Sequence, residues 1–245
     1  MGVLALPARA RAIRARAAAS EAPTALIGAL TPRFVKLPTA QRRLWPQLRA
    51  SVPLGFVLYG GTAISLHLGH RSSVDFDFFH DRALDLTALR SGFGFLKSAQ
   101  TLQQSKDTLV VLASGVKVSF FGGLGFGRVG DPLLTRDGVA EVASLDDLMA
   151  HKLKVIVERA EKKDYEDVVA MQRAGVSLSH GLAAARLFFG KAFQPSESLK
   201  ALAYFKDGDL PQLSPGDRRT LIAAAAAVGE LPRVALRSRE LAIAL

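Results

Sequence analysis

YGGTAISLHLGHRSSVDFDFF, residues 59–79, joins a Gly-Gly pair, a short apolar run, a basic loop and two aspartates alternating with bulky apolar residues. The preceding GFVLYG reads as a buried strand ending at Gly60, and TAISLHL as a short helix beginning at the Gly pair. VDFDFF then reads as a second strand. Strand side chains alternate with a period of two, so Val74, Phe76 and Phe78 take one face and Asp75 and Asp77 the other. Two carboxylates on one side of a strand can share one or two divalent cations, and their hard oxygens suit Mg²⁺. A Gly-Gly turn at a helix start lets a phosphate approach backbone N–H groups at the positive end of the helix dipole. Each feature alone also has a plainer reading: a tight turn for Gly60-Gly61 and a solvated strand face for Asp75-Phe76-Asp77.

Outward from this stretch, TAQRRLWPQLRAS (39–51) reads as a short helix interrupted near Pro46. TLVVLAS and GVKVSFF are β-rich runs flanking Ser114-Gly115, a tight hairpin signal, and GVAEVAS offers a further strand. From Ser144 the pattern turns helical, over about 145–161, 164–174, 178–189, 196–205 and 217–229. Strands first and helices afterwards predict an α+β protein with a helical C-terminal half. The expected division is a basic leader or arm over 1–38, a catalytic module over 39–143 and a helical region over 144–245.

The chain has 245 residues, no cysteine and a formal net charge of +10. Without cysteine there is no disulfide, thiolate metal site or thiol nucleophile, which fits a reducing cytoplasm. The charge is uneven: residues 1–50 hold nine Lys/Arg and one acid, the rest 23 and 21. ARARAIRARAAAS (8–20) therefore reads as an arm for phosphate backbone, a solvated tail or an Arg-rich presequence. LIAAAAAV (221–228) falls far short of the roughly 20 apolar residues that a membrane span needs.

Gly60-Gly61, thirteen intervening residues and Asp75-Phe76-Asp77 together resemble the first motif of the nucleotidyltransferase superfamily that includes DNA polymerase β. GGTA at 60–63, LGHRSSVDFDFF at 68–79 and HKLKVIVERAEKKDYEDV at 151–168 narrow this to a resemblance to AbiEii/AbiGii-type nucleotidyltransferase toxins of type IV toxin-antitoxin systems. ALAYFKDGDLPQL at 201–213 is similar to the helical tail of some relatives. The resemblance implies a polymerase β-like mixed sheet, Mg²⁺, and an NTP as co-substrate. It also implies an RNA acceptor such as a tRNA end, and a cognate antitoxin. It assigns metal binding to Asp75 and Asp77, catalysis to these with Lys152 and Asp164, and nucleotide binding to Gly60, Gly61, Thr62, Arg71 and Lys117. One position departs from the pattern. The family's second motif, Lys-x-Asp, reads Lys117-Val118-Ser119 here, and a neutral hydroxyl removes one negative charge from a metal site.

The helical residues can also be read without the family. Leu145, Leu148, Met149 and Ile156 form one apolar stripe at helical spacing, with Lys152 inside it and Lys154 opposite. Lys152 then either snorkels to solvent or meets an anion. Arg159 is either an ion-pair partner or solvated. Asp164 and Asp167, three apart, are neighbours on one helix surface, and Asp164 also suits a helix N-terminus. Arg71 either clamps a phosphate or balances nearby acids. His67 and His151 have no partners at metal-ligand spacing. Three functions remain open: a nucleotidyltransferase acting on RNA, a weakened relative that binds a nucleotide or protein, and a transferase for small molecules. A haloacid-dehalogenase phosphatase would want Asp-x-Asp-Gly-Thr, where Phe78-Phe79 stands. A nucleotide-sugar glycosyltransferase would leave the Gly-Gly turn and Lys152 without a purpose.

Overall fold

The computed structural model describes residues 28–243. Among these, eight strands form one mixed sheet: β1 (Ala29–Leu30), β2 (Val57–Tyr59), β3 (Asp75–Phe79), β4 (Gln100–Ser105), β5 (Thr108–Ala113), β6 (Val116–Phe121), β7 (Leu133–Thr135) and β8 (Glu141–Val142). Their order is β1-β7-β8-β2-β3-β6-β5-β4. The helices are α1 (Thr39–Leu44), α2 (Gly60–Leu68), α3 (Leu86–Gly92), α4 (Leu145–Glu158), α5 (Lys162–Arg173), α6 (Leu178–Phe189), α7 (Pro195–Ala201) and α8 (Pro215–Ala226). Five of the eight follow Ser144, so the α+β arrangement with a helical C-terminal half is what the chain adopts.

Alternation along β3 organises the centre. Phe76 and Phe78 are fully buried on one face of the sheet. They meet Trp45, Phe56 and Phe120 there, with ring centroids 5.4–6.5 Å apart along the cluster. The other face carries Asp75, Asp77 and Phe79. β2 runs antiparallel to β3 with Tyr59 opposite Asp77, and β6 runs parallel to it with Lys117 opposite Asp75 and Ser119 opposite Asp77. Phe79 stacks on Tyr59 at 4.6 Å and meets His151 of α4 at 5.8 Å. This one strand face thus changes within five residues from a polar rim to a covered core, because α4 seats on its apolar end.

Three expectations need correcting. Val74 does not join the apolar face: β3 begins at Asp75, and Val74 is 62% exposed. The arm does not extend to residue 38, since Ala29–Leu30 pair with Leu134–Thr135 and Leu37 is buried. Residues 1–27, which hold ARARAIRARAAAS, lie outside the described residues. The first long helix stops at Glu158 rather than 161, because Arg159 adopts an extended backbone. The hairpin signal at Ser114-Gly115 corresponds to the β5–β6 turn, where both residues have positive φ (50° and 79°) as a two-residue type I′ connection requires. Past α8 no further helix occurs among the described residues, and the chain pairs with the β6–β7 loop through an isolated Arg128–Ser238 bridge.

Candidate active site

Local backbone chemistry builds the helix-start side of the site. β2 runs directly into α2 at Gly60, whose φ of 75° is costly for any residue with a side chain. A Cβ there would also lie 2.7 Å from Asp77 Oδ2, so the turn and the carboxylate are in close contact. No side chain caps α2, which leaves its first N–H groups without a side-chain acceptor. Thr62, in the first turn, donates its hydroxyl to the Asp75 carbonyl, and Gln41 Nε2 donates to the same oxygen at 3.2 Å. The helix start is thereby fastened to β3. Ser65 Oγ likewise fastens the basic loop by donating to the Arg71 carbonyl at 2.7 Å.

The acid side is asymmetric. Asp75 is 34% exposed and pairs with Lys117 Nζ at 3.0 Å. Asp77 is more enclosed, and burial pushes its carboxyl above the usual range. The Ser119 hydroxyl pulls against that rise, Asp75 adds to it, and Lys117 and Lys152 oppose it. The two side chains share a face and a rim, and their oxygens suit a hard cation, so the pair fits one Mg²⁺. Among the described residues no group of three or more His, Asp or Glu side chains stands at metal-binding distance.

Behind the rim lies a buried ion network. Lys152, on the buried stripe of α4, does not snorkel: its Nζ lies 2.5 Å from Asp164 Oδ1 and 2.7 Å from Asp167 Oδ2, both on α5. Both carboxylates are fully buried. Arg159 Nε donates to Asp164 Oδ2 at 2.8 Å while its side chain stays 46% exposed. Asp77 contributes to the upward shift of Arg159, whose largest cause is the Asp164 hydrogen bond. Arg71 grips Asp167 through Nε and Nη2 at 2.7 and 2.6 Å, and His70 Nε2 lies 2.7 Å from the same carboxylate. For Asp164, burial pushes the carboxyl up, but Arg159 and Lys152 outweigh it and hold it below the usual range. Asp167 behaves alike, with His70, Lys152 and Arg71 overcoming burial.

Of the two readings open for Arg71, the structure shows the acid-balancing one, with the guanidinium committed to Asp167. It also crowds the helix start, since a Cβ on Gly61 would meet Arg71 Nη2 at 2.6 Å. The structure brings Gly60, Gly61, Thr62, Asp75, Asp77 and Lys117 to one rim, with Lys152 and Asp164 directly behind. Sequence reasoning does not place Asp167 in the site, although it ties His70, Arg71 and Lys152 together. Its i, i+3 spacing from Asp164 was the available signal; the approach of the 70–71 loop was not visible in sequence. His151 is half-buried among aromatic rings with its Nε2 enclosed, and this desolvation lowers its pKa to about 3. His67 faces the Ala143 carbonyl at 2.9 Å, and burial lowers it as well.

A mixed sheet carrying paired carboxylates beside an uncapped helix start is consistent with an α+β nucleotidyltransferase fold. Residues 48–235 match the family described as nucleotidyl transferase AbiEii toxin, type IV TA system. The chain belongs to that family. It is also 35% identical over 120 residues to an uncharacterized protein of Aquifex aeolicus (strain VF5), a stretch covering 48% of this chain and 58% of that protein. The chain thus spans a little over half the length of this relative.

Proposed function

We propose that the rim transfers a nucleotidyl group from an NTP to an acceptor hydroxyl, with RNA of tRNA type as the acceptor. The protein would then be the toxin of a pair whose antitoxin restrains it. The observation that supports this reading is the contact between the Gly60 turn and Asp77, which sets the first N–H groups of α2 beside a carboxylate. In the reaction, the acceptor oxygen bonds to the α-phosphorus, the bond to the bridging oxygen of pyrophosphate breaks, and the hydroxyl proton is lost to solvent. Mg²⁺ held by Asp75 and Asp77 would supply charge neutralisation of the triphosphate and polarisation of the reacting oxygens.

The protein groups have separable duties. The N–H groups of Gly61 and Thr62 receive phosphate oxygens. Half-exposed Arg159, fixed by Asp164, presents its remaining N–H groups to the departing pyrophosphate. Lys152 is held by two carboxylates, so its duty is to fix α5 against α4 and to lend positive field to Asp77. No helix among the described residues is long and apolar enough to cross a membrane, and we place the reaction in the cytoplasm.

Incubation with Mg²⁺, each labelled NTP and total RNA tests the reading. Label should move to RNA, and Asp75→Asn should reduce transfer by about 10²-fold or more without altering the melting temperature. Undiminished transfer by Asp75→Asn would place the metal elsewhere. Ser119 favours a second reading, a nucleotide- or protein-binding relative of weakened activity, because it stands opposite Asp77 where a carboxylate would complete the site. Nucleotide binding without label transfer to RNA or to small molecules would support that alternative.

A further inference from the structure

The strand beside Asp75 and Asp77 decides how much positive charge the rim can accept. β6 presents Lys117 opposite Asp75 and Ser119 opposite Asp77, a cation and a neutral hydroxyl. Lys117 Nζ already lies against Asp75 Oδ2 at 3.0 Å. The carboxylates behind the rim, Asp164 and Asp167, are consumed by Lys152, Arg159 and Arg71. Two carboxylates and one ammonium leave a formal charge of −1 at the rim. A two-ion centre places dications about 3.5–4 Å apart and depends on bridging anions to offset their repulsion. Among the described residues no third carboxylate joins Asp75 and Asp77 to supply it.

We infer that this site takes one divalent cation, carried in with the triphosphate and held by Asp77 with Asp75, and that the Lys117 ammonium occupies the place of a second. The inference rests on the nucleotidyltransferase reading and deepens it. Lys117 is suited to the duty by position and by exposure. It is 43% exposed, so it can keep its contact with Asp75 while facing a phosphate or the acceptor oxygen. It is also anchored in a strand rather than a loop, so its stem starts from a fixed point two residues from Ser119. A monovalent cation offers less charge than Mg²⁺ but needs no further carboxylate.

The test counts ions rather than turnover. Mn²⁺ is titrated by electron paramagnetic resonance into the full chain saturated in turn with each α,β-methylene nucleoside triphosphate. The wild type should bind one Mn²⁺ per chain. Ser119→Asp, verified as folded by its melting temperature, should tighten a second Mn²⁺ by at least about tenfold, because ion affinity follows the ligand charge count. Wild type that fills two sites of similar affinity would overturn the inference, whatever happens with the variant. So would a folded Ser119→Asp that still binds only one ion. If label transfer proceeds in wild type while two ions bind, the inference fails and the proposed function stands. If no analogue binds and no label moves, both fail.

Discussion

At the scale of the residue, Asp167 is the carboxylate with the most charged partners among the described residues. It is fully buried, accepts two hydrogen bonds from Arg71, and lies within 2.7 Å of both His70 and Lys152. Removing one partner of a buried pair strands the others, so Asp167→Asn should cost about 3–5 kcal/mol in urea unfolding. The same carboxylate sets an acid limit. Asp164 and Asp167 are held below their ordinary value of 3.8, so their stabilisation is complete above that pH and is lost as pH falls below it. The fall in melting temperature below about pH 4 should accordingly be shallower in Asp167→Asn than in wild type. An equally steep fall would mean that other carboxylates govern the acid limb. Sequence showed that Asp164 and Asp167 are helix neighbours, a local fact. It did not show that residues 70–71 close on Asp167 from almost a hundred positions away, because the pairing comes from how α2 and α5 pack.

At the scale of the element, legibility followed the strength of the local pattern. β3 was legible from its alternation, α2 from the Gly pair before an apolar run, and α4 from its stripe. β4 was not, for QTLQQS is exposed at every position and has no apolar side to reveal it. The two-residue strand β1 exists only through pairing with the distant β7, whereas β8 lies within the strand signal of GVAEVAS. Position 151 shows how α4 meets the sheet. His151 lies 4.6–5.8 Å from the rings of Tyr59, Phe79, Phe126, Phe188 and Phe189, and its Nε2 has no hydrogen-bond partner. Burial lowers it from 6.5 to about 3, so on acidification the unfolded chain takes the proton first and stability falls as pH drops below 6.5. At pH 5 this loss amounts to about 2 kcal/mol. His151→Leu should therefore gain melting temperature relative to wild type at pH 5 over its difference at pH 7.5. Asp147, raised to about 6 by burial, drives the opposite trend in both proteins and so cancels in that comparison. A difference that does not change with pH would show that His151 becomes protonated in the folded protein.

At the scale of the whole molecule, the helical half is tied to the sheet by a final stretch that has no regular structure of its own. Beyond α8 the chain crosses back, and Ser238 forms an antiparallel bridge with Arg128. Arg128 Nε donates to the Glu240 carbonyl at 3.0 Å, Leu241 is fully buried, and the Ile243 N–H donates to Glu141 Oε2 at 3.1 Å. These contacts hold the 128–131 loop from outside. Asp147 holds it from inside, accepting from the Val129 and Gly130 N–H groups at 2.8 and 3.3 Å within the first turn of α4. The tail therefore supports the seat of the helix that carries Lys152 through the 128–131 loop and Glu141. Removing residues 236–245 would expose the Leu241 site, leave Glu141 buried without its donor, and strip Arg128 of a carbonyl. Burial of a leucine accounts for about 2 kcal/mol and each orphaned buried polar group for about 1–3 kcal/mol. The truncated chain should lose about 4 kcal/mol or more in urea unfolding, and Leu241→Ala alone should lose about 2–4 kcal/mol. The order of these effects matters as much as their size. Because the tail acts through the loop, Leu241→Ala should lower stability while leaving Mn²⁺ affinity at the Asp75–Asp77 rim within about twofold, since that variant removes no charge or ligand there. A large fall in ion affinity in a folded Leu241→Ala protein would mean that the loop and α4 transmit the tail's position to the rim.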